Sequence, residues 1–267
     1  MLKQNFDYDN FEEPSMKLKH WIAVGLLLTP ITSMADFVGF RVGGGSWNWN
    51  VSGDLRYKSA AINDTFDFKN DLGLKDDKQT FGYVVLEHPI PLLPNIRISK
   101  TNLSTSGTGS ITVSKSFGGV TYSTSDTLTT SLVLNQTDLA LYYEILDNDI
   151  VGFDLGLNLK KISGSADVTG SVSGKTSAPI DVTVPMLYAG LQIGLPLTGL
   201  SIGADGSFIS YSGNSMTDVT AYLRYTSDYF IGLEAGVRKI NLTLDNIKDT
   251  SGKLDFNGPY ISLFMQF

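Results

Sequence analysis

From Val151 to Lys160 the chain alternates without a break. Val151, Phe153, Leu155, Leu157 and Leu159 share one parity; Gly152, Asp154, Gly156, Asn158 and Lys160 share the other. A helix would scatter these side chains around its circumference, whereas a strand sorts them onto two faces. The same period of two recurs at 139–145, 200–208, 231–238 and 261–267. Such a chain makes a sheet whose one face is Leu, Val, Ile, Phe and Tyr and whose other face is Gly, Ser, Asn and charge.

Ten strands are predicted, at 36–45, 80–87, 95–103, 128–145, 150–162, 180–195, 200–211, 216–225, 229–244 and 254–267. The connections after the first, third, fifth and ninth are long and polar. Those after the second, fourth, sixth and eighth are short, and the seventh, also short, breaks the rule. The stretch 46–78 reads as a large surface loop carrying Trp47 and Trp49, with room for a short strand at 51–57. Residues 104–127 read as a long hairpin tip or a mobile loop, and 163–179 as a polar loop. The stretch 88–94 (His-Pro-Ile-Pro-Leu-Leu-Pro) is a rigid turn, because proline cannot serve a central ladder.

Alternation alone does not say which face is inside. A secreted soluble barrel or sandwich would hide the apolar face; a barrel in a bilayer would show it. Several strands run past ten residues, longer than the roughly 5–6 usual in soluble sheets, and the Leu155 row has no polar interruption. Alternating short and long connections with an even strand count are also the habit of barrels in a bilayer. The expected fold is all-β: a transmembrane antiparallel up-and-down β-barrel of about ten strands, with eight or twelve still open.

The 267 residues contain no Cys, which excludes disulfide frameworks, thiolate metal sites and Cys nucleophiles. A net charge of -7 argues against nucleic acid as a partner. Near the start, Met16-Lys17-Leu18-Lys19-His20 is a basic region and 21–28 (WIAVGLLL) an apolar one, too short for the roughly 18–20 residues of a membrane span. Pro30 breaks it, and Ser33-Met34-Ala35 places small residues at a cleavage site. The expected organisation is an upstream extension at 1–15, with Met16 as the start of translation, a cleaved signal peptide at 16–35, and one barrel domain at 36–267.

The export signal, the ten alternating segments and the closing Phe267 resemble Gram-negative outer-membrane β-barrel proteins. Asp36-Phe37-Val38-Gly39-Phe40-Arg41-Val42-Gly43 and the stretch from Leu86 through 88–94 to Asn95 are similar to a family of gammaproteobacterial outer-membrane barrels. The resemblance covers 36–267. It implies a fold and a location in the cell outer membrane, in contact with its lipids and lipopolysaccharide, but no activity. Ile261, Leu263, Met265 and Phe267 look like the signal read by the barrel-assembly machinery, which with periplasmic chaperones would be a partner during biogenesis. Met265 stands where that signal often has an aromatic. The barrel is expected to be a monomer.

Sorting by parity gives a candidate interior: Arg41, Arg97, Arg224 and Arg238 beside Glu87, Asp138, Glu144, Asp154, Asp205 and Glu234. Buried charges must be paired or wet, and Arg224 and Glu234 fall on adjacent strands. A filled interior is the bland reading; a narrow channel for ions or small solutes is the functional one. Ten strands leave little lumen. Outer-membrane enzymes of this size rely on a His near the outer rim. Here His20 leaves with the signal and His88 lies in a short turn at the other end, so no enzyme, catalytic residue or cofactor is expected. Asp64, Asp67, Asp71, Asp76 and Asp77 match no calcium-loop spacing, so no metal site is assigned. Outer loops with Trp47, Trp49 and many Ser and Thr leave an adhesin or ligand binder as a further alternative. Trp47, Trp49, Tyr211 and Tyr229 are expected in the interfacial girdles.

Overall fold

Alternation is realised as strands longer than the sequence pattern suggests. The computed structural model describes residues 38–61, 64–148 and 150–267; the expected extension and signal peptide lie outside them. The strands are β1 (Gly39–Tyr57), β2 (Phe66–Asp67), β3 (Asp77–Glu87), β4 (Asn95–Thr101), β5 (Ser104–Ser110), β6 (Lys115–Phe117), β7 (Val120–Tyr122), β8 (Thr127–Asp147), β9 (Val151–Gly170), β10 (Gly174–Leu195), β11 (Leu200–Tyr211), β12 (Asn214–Thr226), β13 (Ile231–Ile247) and β14 (Thr250–Gln266).

β5 continues β4 along the same side of β8, β2 adds two residues beside β1, and β6–β7 is a separate hairpin. Ten staves remain, each antiparallel to its neighbours in chain order. β14 returns to β1, paired from Arg41↔Gln266 to Tyr57↔Thr250, so the sheet closes. Closure matters because an open edge in hydrocarbon would leave backbone groups unpaired. Following cross-strand partners once round, from Phe40 through Leu86, Ile96, Leu141, Leu157, Leu187, Phe208, Thr217, Asn241 and Asp255, returns to β1 at Ser52, twelve residues on. That stagger goes with strands tilted about 40° to the barrel axis.

Along the long strands the two faces exchange character. In β8 the outward residues Leu139, Leu141, Tyr143 and Ile145 are apolar, while the inward ones opposite that span include Asp138, Tyr142 and Glu144. Ten residues earlier the order is reversed: Leu128, Leu132 and Leu134 are buried inside, and Thr127, Thr129 and Ser131 face out. β9 turns over at the same level, from outward Leu155, Leu157 and Leu159 to inward Ile162, Ala166 and Val168. The lower half is therefore built for lipid and the upper half for water. From Val151 to Leu159 the outward apolar row is about 26 Å long, or about 20 Å of height at that tilt, close to the roughly 25 Å band of outer-membrane barrels.

This exchange corrects three expectations. Trp47 and Trp49 are not in an interfacial girdle; both are inward residues of β1, 0% and 1% exposed. Within 46–78, residues 46–57 belong to β1, and only 58–76 connect. The stretch 163–179 is not a loop but the upper parts of β9 and β10, joined at 171–173. The polar run there is the water-facing side of a strand that has left the membrane. The tips at 212–213 and 248–249 are equally short, so only 58–76 and 111–126 form substantial outer connections among the described residues. Tyr211 and Tyr229 do lie exposed at strand ends.

The β11–β12 hairpin stops low, since β10 pairs with β11 only from Leu187 to Leu195. Above that level β10 pairs with β9 on one side and, among the described residues, with no strand on the other. Antiparallel strands point alternate residues' backbone groups to opposite sides. Gly194 donates its N–H to Ile150 C=O (2.7 Å) toward β9, so residues of the other parity face the free edge. Pro179 and Pro185 have that parity, where a missing N–H costs nothing.

Candidate functional site

The lumen at membrane level is narrow because inward glycines seat inward rings. A Cβ on Gly232 would come within 2.0 Å of the Phe264 ring, and one on Gly43 within 2.6 Å of Tyr83. The Gly-rich polar parity is thus the complement of rings packed across the barrel.

Three sets of charges fill the rest, with a fourth group toward the short-turn end. In the upper set Lys160, with no exposed surface, donates to Asp138 (2.7 Å), Asp218 (2.8 Å) and Gln136 (3.0 Å). Arg238 grips Asp218 with two bonds, Nε to Oδ1 at 2.9 Å and Nη2 to Oδ2 at 2.7 Å, and gives Nη1 to Thr101 Oγ1. Asn158 ties Asp138 to Ser207. In the second set Arg224 pairs with Glu234 (2.7 Å) and Gln192 (2.6 Å), and Tyr260 OH donates to Glu234 at 2.6 Å. The third set has Arg97 3.7 Å from Asp205 and stacked 5.1 Å over Tyr83. Nearer the short-turn end, Arg41 donates to Gln266, Tyr142 OH to Glu87, and Glu144 is the cross-strand partner of Asp154. Each cation in the upper and second sets has a carboxylate at contact distance, which makes charge inside a membrane tolerable.

A cavity of about 70 Å³ remains, bordered by Tyr83, Arg97, Asp138, Asn158 and Asp205. Tyr83 OH, Asp138 Oδ2 and Asn158 Oδ1 are buried there without a protein partner, the kind of groups that ordered water satisfies.

Above the charges lies an apolar core. Arg238 packs 5.0 Å under the Trp47 ring at the boundary. Over it come Trp49, Val51, Phe256, Leu254, Ile162 and Val168, and at the top Phe66, Phe117 and Tyr122 in edge-to-face contact. The connections 58–76 and 111–126 lid this core together: Lys115 Nζ reaches Asp71 (2.5 Å) and Thr65 C=O (2.8 Å), and Ser116 N–H donates to Asp64 (2.9 Å). Asp76 pairs with Lys69 (2.9 Å). Asp64, Asp71 and Asp76 thus hold the lid, while Asp67 and Asp77 accept only from residues near them in the chain, and no group of three His, Cys, Asp or Glu among the described residues is placed to hold a metal. Asp126 accepts from Ser173 Oγ and from the N–H groups of Ser123, Val172 and Ser173, which hold its carboxyl well below the usual range.

Every charge singled out from parity lies on the lumen side. The sequence reading missed Lys160 and Asp218, the centre of the upper set, although each shares the parity of Asp154 or Arg224 within its strand. Ile261, Leu263 and Met265 face outward on β14, and Phe267 follows them. His88 lies in the 88–94 turn, its Nε2 3.1 Å from Pro94 C=O.

No family model and no curated protein matches the chain. Among solved structures, the outer membrane protease OmpT of Escherichia coli is 10% identical, with 86% of this chain and 97% of that one covered at a TM-score of 0.49. The attachment invasion locus protein Ail of Yersinia pestis is 11% identical over 88% and 100% at 0.34. The outer membrane protein OprG of Pseudomonas aeruginosa is 10% identical over 87% and 96% at 0.30. These are likenesses of fold alone.

Proposed function

We propose that this outer-membrane β-barrel is closed and filled, and that it serves the envelope as a structural element rather than as a pore. The observation that carries the reading is the stacking of two different plugs: a paired charge network within the membrane, and above it an apolar core under a two-loop lid. An ion passing the lumen would have to shed water against Trp49, Val51 and Phe256, and the charges bordering that core, Arg238 under Trp47 and Lys115 over Phe66, are already engaged by Asp218 and Asp71. The reading includes no catalysis. Its partners are outer-membrane lipid, lipopolysaccharide and the assembly machinery, and the barrel acts as a monomer.

Planar bilayers test it. The refolded protein should give no steady single-channel current. A steady current that changes on Arg224→Ala or Glu234→Ala would sink the reading in favour of a small channel.

A second reading rests on the upper half, which holds β8, β9 and β10 as a stiff, water-facing body above the lipid. Such a body suits recognition of an external ligand. Intact cells that bind a host matrix, and lose that binding when 58–76 is replaced by a short turn, would favour it.

A further inference from the structure

The outward apolar band is uneven. β9 presents five outward apolar residues, Val151 through Leu159, but β3 presents only Val84 and Leu86, and β4 only Ile96 and Ile98. The upper limit of the band runs through mutual partners Val42, Val84, Ile98, Leu139 and Leu159. The next outward row, Gly44, Gly82, Lys100, Thr137 and Lys161, has no large apolar side chain. Partner rows climb away from the short-turn end as they pass from β1 to β9, so the upper limit at β1 lies about 12 Å lower than at β9. A bilayer of even thickness then needs apolar surface below β3 and β4.

The turn that joins those two strands supplies it. Ile90, Leu92 and Leu93 are exposed, Leu92 by 88%. Leu92 C=O accepts from Tyr143 OH (3.2 Å), an outward residue of β8, so the turn lies against the lipid side of the barrel. Of the turn's backbone N–H groups, those of His88, Ile90 and Leu93 are also satisfied from within. Pro89, Pro91 and Pro94 have no N–H to satisfy. His88 N–H donates to Asn95 Oδ1 (3.0 Å), Ile90 N–H to His88 Nδ1 (3.3 Å), and Leu93 N–H to Ile90 C=O (3.2 Å). A neutral imidazole with its proton on Nε2 serves both Ile90 N–H and Pro94 C=O. A turn in water needs no such internal accounting, whereas irregular backbone in hydrocarbon does.

We propose that the 88–94 turn is immersed in the inner leaflet of the outer membrane, with Ile90, Leu92 and Leu93 among phospholipid acyl chains, completing the band on the face where the strands are too short. The surface is continuous with the lipid-facing wall, which favours lipid over a periplasmic protein as its occupant. The inference stands on the outer face alone and is independent of whether the lumen conducts.

The absence of cysteine makes the test clean. Leu92→Cys and, as a second site, Leu93→Cys are labelled with a nitroxide in the refolded full barrel in phospholipid vesicles. Leu157→Cys marks the band and Val172→Cys the outer tip. Accessibility to oxygen relative to a polar nickel chelate should be as high at 92 and 93 as at 157, and about tenfold above that at 172, because the chelate is excluded from hydrocarbon. Chelate-favoured collisions at 92 and 93, matching 172, would overturn the proposal and point to a water-facing turn open to a protein partner.

Discussion

Phe267 closes the ladder on Phe40. Its N–H donates to Phe40 C=O at 2.8 Å, and its C=O accepts from Phe40 N–H at 3.1 Å. The two rings stack at 6.5 Å, and Phe230, from the turn after β12, stacks on the other side of Phe267 at 5.7 Å. The first and last strands are thereby joined to a third element. Aromatic contacts contribute about 0.5–1.5 kcal/mol each. Phe267→Ala, which keeps both backbone bonds, should lower the stability of the folded barrel in vesicles by about 1–2 kcal/mol. Deleting the residue should also lower insertion in cells. Urea unfolding and the amount of heat-modifiable protein in the membrane fraction check the two parts; normal levels after deletion would count against the second.

Asp218 holds two buried cations at once, Lys160 at 2.8 Å and Arg238 at 2.7 Å. Removing one partner of a buried pair leaves an uncompensated charge, which costs about 3–5 kcal/mol. Asp218→Ala strands Arg238, which cannot shed its charge, and should therefore cost more than Lys160→Met, which leaves Asp218 its Arg238 and strands only Asp138, a carboxyl that can take up a proton. The double variant should cost less than the sum of the two. Additive losses in vesicle unfolding would show that the pair does not act as a unit.

How far the fold could be read beforehand depends on which physical signal the residues carry. Period-two alternation at Val151–Lys160 and Ile231–Arg238 reports a strand between two unlike media. It is strongest where lipid and a charged lumen meet. Above the membrane the contrast weakens. In β9 the outward residues Ser163, Ser165 and Asp167 oppose Gly164 and Ala166, small residues that read as a loop. Trp47 and Trp49 misled for a related reason. Aromatics just past a lipid-facing row suggest a girdle, but alternation carries them inward, and only the change of medium decides that inward is apolar there. In the lumen, parity on adjacent strands makes Arg224 opposite Glu234 legible, whereas the Lys160–Asp218–Arg238 set joins β9 to β12 across the barrel. No local pattern reports that distance.

Asp126 should make the outer tips sensitive to acid. Ser173 Oγ at 2.5 Å and backbone N–H groups of Ser123, Val172 and Ser173 depress its folded pKa below that of the unfolded chain. A depressed carboxyl contributes stability that is fully present above its unfolded pKa of about 3.9 and is lost as pH falls toward the folded value. Amide exchange at Val172 and Ser173 should therefore be slow and level at neutral pH once intrinsic rates are removed, with protection falling below about pH 4. Asp126→Ala should remove both the protection and its acid dependence. Protection that persists unchanged in that variant would show that the tip is held by other contacts.

Pro179 and Pro185 bear on how this barrel stays single above the lipid. Among the described residues the upper part of β10 pairs with no strand on the side away from β9, and its residues of odd number from Lys175 to Pro185 direct their backbone groups there. Exposed edges recruit other strands unless they are blunted, and prolines blunt them by removing donors. The proline rings face outward, away from the core, so replacing them disturbs little packing. Pro179→Thr with Pro185→Thr restores two donors to the edge. The variant should fold and keep its gel mobility shift, yet associate with itself in detergent at concentrations where the parent is monomeric. A sedimentation profile that stays monomeric across that range would mean that the tilt of β10 and its charged neighbours Lys175 and Asp181 already protect the edge without the prolines.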